Sequence, residues 1–231
     1  MSALLSFEAV SLVMGGARLL DSIAFTIAPA ERVAIIGDSG SGKSWIQRLA
    51  IGLTDATSGT VRLMDLMLDA LGKEERRLPR ARCGLVMQGG SLLADLSVED
   101  NLRLAMGALS ARDARAARRI DRLLLEFGLE HVATATVGSL AVGERRRAEL
   151  ARAFSRDPDL LILDEPFEGA FARSAALEEQ VRRRIVPHGR ALLLLTQDAD
   201  LAGRLCERVY RLERGRLLQQ DAVETVPAAA S

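Results

Sequence analysis

Residues 37–44, which read Gly-Asp-Ser-Gly-Ser-Gly-Lys-Ser, constrain the fold of this chain more than any other stretch. They follow the short apolar run 33–36, which predicts a buried strand, and they precede residues 45–53, which predict a helix. The glycines let backbone N–H groups converge on an anion, Lys43 supplies a positive charge, and the Ser44 hydroxyl can ligate Mg²⁺. The positive end of the following helix faces the same anion. This pattern predicts a loop that binds the phosphates of a nucleoside triphosphate.

Length and charge restrict the classes of protein that this sequence can encode. At 231 residues, 48 % of them apolar, the chain can bury one large core with room for a subdomain. Lys and Arg together number 31, and so do Asp and Glu, so no net charge attracts nucleic acid. Cys83 and Cys206 stand far apart, which favours a reduced cytosolic protein in which they hold no metal. The longest apolar run, residues 191–195, is too short to cross a bilayer, so membrane association would need a partner.

Apolar runs bounded by turn residues predict nine strands. The first three form an antiparallel subdomain, residues 1–36, that leads into the loop, and Ser58-Gly59-Thr60 predicts a turn before the fourth strand. Two of the runs are unbroken, as expected of parallel strands covered on both faces. The predicted strands are residues 4–13, 23–27, 32–36, 61–64, 84–88, 160–163, 191–195, 209–213 and 216–219.

One long helix is predicted between residues 111 and 128, because Ile120, Leu123, Leu124 and Phe127 recur at helical spacing before Gly128. Residues from about 89 to 156 are accordingly predicted to form a helical subdomain inserted between strands. The fold class is therefore α/β, with a mostly parallel sheet around the phosphate-binding loop. Residues 1–221 are expected to form a single domain and residues 222–231 a flexible tail.

Two acids, Asp164 and Glu165, follow the apolar run 160–163 and precede Pro166. The run predicts a strand whose carboxyl end lies where ligands bind in open α/β sheets. Asp164 is placed there to hold Mg²⁺, and Glu165 to orient or deprotonate an attacking water. Two adjacent carboxylates at the end of an apolar strand are costly without a cation, so the pair points to a metal-dependent nucleotide site.

These motifs, taken in order, resemble those of the nucleotide-binding subunits of ATP-binding cassette (ABC) transporters over residues 7–218. Gln88 follows a strand after the phosphate-binding loop, a signature-like stretch occupies residues 140–144, and the acidic pair comes about twenty residues later. The resemblance implies an ABC ATPase fold in which Gln88 contacts Mg²⁺ and transmits the nucleotide state to a membrane permease. Residues 87–93, 96–101 and 164–169 narrow the resemblance to the ATPase of Mla-type lipid transport systems, which work with MCE proteins.

The resemblance also implies which residues form the site, with ATP and Mg²⁺ as cofactors. The catalytic positions are Glu165, Gln88 and Gln197, and the Mg²⁺ ligands are Ser44, Gln88 and Asp164. The nucleotide-contacting residues are Gly37, Asp38, Ser39, Gly40, Ser41, Gly42, Lys43, Ser44 and Trp45, although Trp45 has a simpler interpretation as packing of the helix against the sheet. The residues that would contact ATP held by the other subunit of a dimer are Leu140, Ala141, Val142, Gly143 and Glu144.

The sequence departs from the family pattern at four places. The altered signature and Gln197 predict slow hydrolysis if two copies of this chain pair, and the lost aromatic predicts weaker selectivity for the base. The signature loses a serine hydroxyl at Ala141 and a glycine at Val142. Gln197 stands where the family has a histidine, and it cannot carry a proton at neutral pH. The aspartate expected within residues 167–171 is missing, and the aromatic that stacks on adenine is replaced by an apolar residue at positions 12–14, which read Leu12, Val13 and Met14. ATP and Mg²⁺ binding should survive these changes.

The leading interpretation is an ABC transporter subunit peripheral on the cytoplasmic face of the inner membrane. Its expected partners are a second ABC ATPase subunit, identical or different, an integral membrane permease and a periplasmic MCE-type lipid-binding protein, with no nucleic acid. One alternative is a regulatory ATP-binding protein, or the degenerate member of a hetero-dimer, with little or no hydrolysis. A cassette protein acting on nucleic acid or ribosomes is a third interpretation, and the balanced charge counts against it.

Overall fold

The computed structural model describes residues 2–107, 113–168 and 174–219. Single 3₁₀ turns lie at Leu68–Ala70, Glu130–Val132 and Val137–Ser139. The strands and α-helices are, in chain order, β1 Leu5–Met14, β2 Ala17–Ile27, β3 Arg32–Ile36, α1 Lys43–Ala50, β4 Ser58–Leu63, β5 Leu66–Met67, α2 Arg77–Arg80, β6 Cys83–Val86, α3 Val98–Ala105, α4 Ala114–Glu126, α5 Val142–Ala153, β7 Leu160–Asp164, α6 Ser174–Ile185, β8 Ala191–Thr196, α7 Ala199–Leu205, β9 Arg208–Glu213 and β10 Arg216–Gln219.

A six-stranded sheet in the order β10-β9-β3-β8-β7-β6 carries the site. The strands from β9 to β6 are parallel, and β10 pairs with β9 as the predicted antiparallel hairpin. Every residue of β7 and β8 is buried, which agrees with their unbroken apolar sequences. Because parallel strands end at the same edge, residues that directly follow β3, β6, β7 and β8 come together there.

A second, four-stranded antiparallel sheet has the order β2-β1-β4-β5. The prediction that residues 32–36 belong to this antiparallel part was wrong, since β3 pairs in parallel with β8 and β9. The predicted turn at residues 58–60 was also wrong, because these residues begin β4 and pair with β1. A Cβ atom on Gly59 would lie 2.3 Å from the Ala9 carbonyl oxygen. The glycine therefore serves close strand approach rather than a turn.

Two apolar clusters cover the two faces of the six-stranded sheet. Alternate side chains of β3 separate them: Val33 and Ile35 pack with the antiparallel sheet and α1, while Ala34 and Ile36 pack with helices α3 to α7. The sheet is thereby fixed from both sides, and its carboxyl edge presents the phosphate-binding loop in a defined position.

Helix α4 confirms the predicted amphipathic helix within two to three residues at each end. Its N-cap is Asp113, whose carboxylate accepts hydrogen bonds from the backbone N–H groups of Arg115 and Ala116 at 2.9 and 3.1 Å. Gly128 follows with a positive φ of 60°, the conformation that commonly ends a helix. The four apolar residues that gave the prediction are all buried.

Candidate nucleotide-binding site

The phosphate loop, residues 37–44, leaves the carboxyl end of β3 and turns into α1. Gly40 and Gly42 have φ values of 79° and 108°, which favour glycine over any other residue. Gly42 is the N-cap of α1, and its carbonyl accepts a hydrogen bond from the Trp45 backbone N–H at 3.0 Å. The local sequence thus produces the strand, loop and helix that were predicted, with the positive end of α1 facing the loop.

The Lys43 side chain is folded back over its own loop and is 6 % exposed. Its Nζ donates hydrogen bonds to the carbonyl oxygens of Gly37 at 2.6 Å and Asp38 at 3.0 Å. The Oε1 atom of Glu165 lies 3.8 Å from the same Nζ. One ammonium group therefore links the phosphate loop to the end of β7.

Asp164 is the last residue of β7 and is 1 % exposed. Among the described residues, neither of its carboxylate oxygens has a hydrogen-bond partner. Burial raises the pKa of Asp164, and the nearby Ser44 hydroxyl and Lys43 ammonium oppose this shift by less. A buried carboxylate with unsatisfied oxygens is the feature that a bound cation would complete.

Glu165 follows directly and is held in an unusual backbone conformation, with a φ of 45°. Its Oε2 accepts a hydrogen bond from the Thr196 hydroxyl at 3.0 Å, while Oε1 has no hydrogen-bond partner among the described residues. Burial raises the pKa of Glu165, and the Thr196 hydroxyl and Lys43 charge partly offset it. A strained, buried acid with one free oxygen is typical of catalytic positions.

The buried charge of Asp164 makes a testable prediction about stability. Because its pKa is raised on folding, the ionised form destabilises the nucleotide-free protein once the pH exceeds the ordinary aspartate value of 3.8. Asp164→Asn should therefore have a larger free energy of unfolding than the parent at neutral pH, and unfold at a higher temperature, because the amide carries no charge to bury. The difference should shrink as the pH falls toward 3.5, where the carboxyl group is mostly protonated in both states. Thermal unfolding from pH 3.5 to 7.5 checks this, and an equal difference at every pH would contradict it.

The predicted Mg²⁺ ligands lie together at the carboxyl edge of the sheet. The Ser44 hydroxyl donates a hydrogen bond to Gln88 Oε1 at 3.2 Å, and both line a cavity with Asp164. Hydroxyl, amide and carboxylate oxygens suit Mg²⁺, which keeps waters and binds phosphate oxygens in addition to one or two carboxylates. The described part of the chain has no cluster of three His, Cys, Asp or Glu residues that could hold a metal alone. The donor set therefore fits Mg²⁺ bound together with phosphates.

The cavity measures about 140 Å³ and gathers most of the predicted site residues. Gly37, Asp38 and Ser41 belong to the loop but do not line the cavity. Trp45 combines both interpretations, since it lines the cavity and also packs against the apolar cluster beneath the antiparallel sheet. The lining residues are Ser39, Gly40, Gly42, Lys43, Ser44, Trp45, Gln88, Asp164, Glu165 and Gln197.

The signature-like stretch lies away from this cavity, at the start of α5. Leu140 is buried in the helix-covered core, whereas Val142 is 65 % exposed. The Glu144 carboxylate accepts a hydrogen bond from the Ala141 backbone N–H at 2.9 Å and contacts His131 Nε2 at the same distance. These two contacts, the backbone bond first, lower the pKa of Glu144. Glu144 thus satisfies the N–H of the N-cap residue, while Ala141, which has no hydroxyl, caps none of the N–H groups of the first turn.

The other two departures from the family pattern are the replaced aromatic at positions 12–14 and the missing aspartate within residues 167–171. Leu12 is 2 % exposed and belongs to the core, so only Val13 and Met14 present apolar surface beside the Gly15-Gly16 turn. Gly169, Ala170 and Phe171, where the family aspartate is missing, lie outside the described residues.

Two residues that bear on the site were missed by sequence reasoning. Thr196 positions Glu165, and a hydroxyl at the end of the apolar run of β8 was a usable signal. Glu149 on α5 is 2 % exposed, and its carboxylate accepts hydrogen bonds from the backbone N–H groups of Ser91 and Leu92 at 2.7 and 3.1 Å. It ties α5 to the loop that follows Gln88. The sequence feature that could have indicated its role is an acidic residue between the apolar Ala148 and Leu150, on the side of the helix that is buried.

A glycine-rich loop between a parallel strand and a helix, beside a buried acidic strand end, defines a phosphate-loop nucleoside triphosphate-binding protein. The sequence profile of the ABC transporter family matches residues 20–168. The Nod factor export ATP-binding protein I of Paraburkholderia xenovorans is 34 % identical over 98 % of this chain and 73 % of its own length. The protein of the same name from Rhizobium johnstonii is 36 % identical over 91 % of this chain and 67 % of its own.

Solved structures agree with the fold. An ATP-binding cassette in a dimeric, post-hydrolysis state with ADP and Pi superposes with a TM-score of 0.85 at 24 % identity, over 94 % of this chain and 98 % of that one. A structure described as the ATP-binding subunit of an ABC transporter gives 0.83 at 27 % identity, over 96 % of this chain and 90 % of that one. The chain belongs to the ABC transporter family, as an ATP-binding subunit. The relatives named above are not Mla-type ATPases, so the narrower resemblance is without support from them.

Proposed function

We propose that this chain binds Mg²⁺-ATP in the cavity beside the phosphate loop, hydrolyses it slowly, and so drives a separate membrane permease. The observation that carries the proposal is the buried acidic pair, whose unsatisfied oxygens lie next to Lys43 and the loop. Among the described residues no helix is long and apolar enough to cross a bilayer. The subunit would therefore sit peripherally on the cytoplasmic face of the membrane through its permease.

Each side chain has a distinct task in this proposal. The loop N–H groups and Lys43 bind the phosphate oxygens, for which Lys43 exchanges the carbonyl contacts it makes in the free protein. Ser44, Gln88 and Asp164 would hold Mg²⁺, which supplies charge neutralisation for the phosphates. Glu165, fixed by Thr196, orients the attacking water and accepts its proton through the free Oε1. Burial favours the proton-accepting step because it raises the pKa of Glu165.

The slow rate in this proposal comes from two residues. Gln197 lines the cavity and can donate hydrogen bonds through its amide, but it cannot carry a positive charge at neutral pH. Val142 exposes a β-branched side chain where a phosphate would need close backbone approach. In a dimer of identical chains both composite sites would carry these defects, whereas a different ATPase partner could supply a sound signature to this chain's loop.

Gln197→His should raise the hydrolysis rate of the purified chain by about tenfold or more, since a histidine at this position can share its proton with the γ-phosphate. The measurement is single-turnover hydrolysis of radiolabelled ATP with Mg²⁺. Gln219→His, which adds a histidine at the end of β10 and outside the described lining of the cavity, is the matched control and should leave the rate unchanged. An unaltered rate in Gln197→His would show that the missing histidine does not limit turnover.

For the transported substrate, two observations point to different classes. The stretches 87–93, 96–101 and 164–169 support phospholipid transport of the Mla type with an MCE partner, while the relatives are named for Nod factor export. We propose that this chain serves phospholipid transport, because these three stretches belong to the chain itself whereas the export function belongs to its relatives. Reconstitution of the chain with its cognate permease, followed by ATPase assays with added phospholipid, tests this. Stimulation by phospholipid supports the lipid class, and stimulation only by a Nod factor would overturn it.

A second candidate is a regulatory ATP-binding protein that scarcely turns ATP over. The exposed Val142 and the residue Gln197 favour it, and the intact, strained Glu165 favours hydrolysis. The variant Glu165→Gln distinguishes the two candidates, because only a transport ATPase requires its hydrolysis rate to differ from that of the parent.

A further inference from the structure

A second cavity, of about 450 Å³, lies at the amino ends of β7 and β8, at the opposite edge of the sheet from the phosphate loop. Its lining comes from α4, from the turn before β7, and from α6 with the turn that follows it. Five arginine side chains line it, and we call it the arginine pocket. These are Arg119, Arg122, Arg183, Arg184 and Arg190.

Three of the five arginines are fixed by the fold. Arg119 donates hydrogen bonds to the carbonyl oxygens of Ser155 at 2.6 Å and Phe154 at 2.9 Å. The guanidinium groups of Arg184 and Arg190 lie over the Phe154 ring, 5.3 and 6.0 Å from its centroid. The side chains of Arg184 and Arg190 are only 18 % and 11 % exposed. Their positions are therefore set before any ligand arrives.

Negative charge in the pocket falls short of the positive charge. The lining holds two carboxylates for five guanidinium groups. Glu126 contacts Arg184, and Asp157 contacts Arg190 and lies 3.6 Å from Arg119. Burial first, and then the positive charges of Arg119, Arg190 and Arg122, lower the pKa of Arg184 to about 10. The whole chain has no net charge, so this concentration of arginine is a local feature.

The outer two arginines lie at the mouth of the pocket. Arg122 is exposed and has no ion pair within the described ranges. Arg183 is 76 % exposed, and in the part of the chain that the structure describes its single ion pair is with Glu179, one turn earlier on α6. Both side chains can therefore turn toward a ligand without breaking strong contacts, in contrast to Arg119, Arg184 and Arg190, which the fold holds in place.

We propose that the arginine pocket binds a phosphate-bearing anion, independently of the phosphate loop and of the proposed transport function. Guanidinium groups match phosphate oxygens with two parallel hydrogen bonds, and a multiply charged phosphate offsets the repulsion among five cations. The cavity is large enough for a pyrophosphate or a phospholipid headgroup. Free phosphates and headgroups share this chemistry, so the experiment separates the two sources.

The soluble source is tested by calorimetric titration of pyrophosphate into the Lys43→Ala chain, in which the phosphate loop lacks its cation. Arg122→Ser with Arg183→Ser in that background should weaken binding by at least about tenfold, because each lost guanidinium removes charge-assisted hydrogen bonds. The matched control removes two exposed arginines elsewhere, Arg77→Ser with Arg214→Ser, and should leave binding unchanged. If Lys43→Ala fails to fold, Lys43→Met replaces it as the background for the same titration.

The headgroup source is tested by sedimentation of the otherwise unaltered chain with phosphatidylglycerol vesicles, and with phosphatidylcholine vesicles as the neutral comparison. Cosedimentation with phosphatidylglycerol that is lost in the Arg122→Ser, Arg183→Ser variant and kept in the control pair supports a headgroup site. Pair-dependent binding of pyrophosphate alone supports a soluble ligand. The proposal is overturned if neither probe binds, or if binding of both is equal in the arginine variant and the control pair. None of these outcomes depends on ATP hydrolysis, so the proposed function can fail separately.

Discussion

Lys43→Ala is expected to weaken ATP binding by about a hundredfold or more and to reduce hydrolysis to background. Lys43 is the cation that the phosphate loop supplies, and its removal costs two charge-assisted hydrogen bonds to phosphate oxygens, at about 1.5–3 kcal/mol each. Neither the N–H groups of the loop nor the end of α1 can replace a full positive charge. Titration with a fluorescent ATP analogue in the presence of Mg²⁺ measures the affinity, and the single-turnover assay measures hydrolysis.

The chain offers a matched control, because it contains only one other lysine, Lys73, which is exposed. Lys73→Ala should bind and hydrolyse ATP as the parent does. In Lys43→Ala the carbonyl oxygen of Gly37 loses its donor and that of Asp38 keeps only the Ser41 N–H, so circular dichroism must first show that the variant is folded. Lys43→Ala that is folded and binds ATP with the parent affinity would refute the assignment of the cavity.

The part of the site that local sequence determines could be predicted. The phosphate loop needs its glycines and Lys43 at fixed spacing, and Asp164 needs only an apolar strand before it. Parallel strands then bring these residues to one edge of the sheet, so that Gln88 and Gln197 join them. The amphipathic helix near residue 120 was predictable for the same reason, since its pattern and its ends lie within one segment.

What could not be predicted depends on contacts between distant segments. Gly59 was interpreted as a turn residue because glycine favours turns, but the backbone of β1 approaches it closely, and this neighbour is fifty residues away. The strand β3 was assigned to the antiparallel part by its order in the chain, although its partners β8 and β9 come more than 150 residues later. The hydrogen bonds of Glu149 to the loop after Gln88 span nearly sixty residues. No local pattern encodes such pairings.

Glu165→Gln should retain ATP binding while lowering the rate of hydrolysis by about 10²–10⁴, the usual effect of removing a positioned general base. The substitution keeps the size of the side chain, and the amide oxygen can still accept the Thr196 hydrogen bond. The side chain loses its capacity to take up a proton, together with the negative charge that lies 3.8 Å from Lys43 Nζ. ATP should therefore persist at the site, and if two subunits close around it, a dimer should accumulate in size-exclusion chromatography with ATP and Mg²⁺.

Glu130→Gln is the matched control for this substitution, since it neutralises an exposed acid outside the cavity and should leave turnover unchanged. The comparison also decides between the two candidate functions, because hydrolysis and nucleotide-driven assembly are measured on the same protein. A transport ATPase requires Glu165→Gln to differ from the parent in both the rate and the lifetime of the ATP-bound dimer. If the variant and the parent dimerise alike and release phosphate equally slowly, Glu165 is not acting as a base. That result would favour the regulatory ATP-binding protein over the transport ATPase.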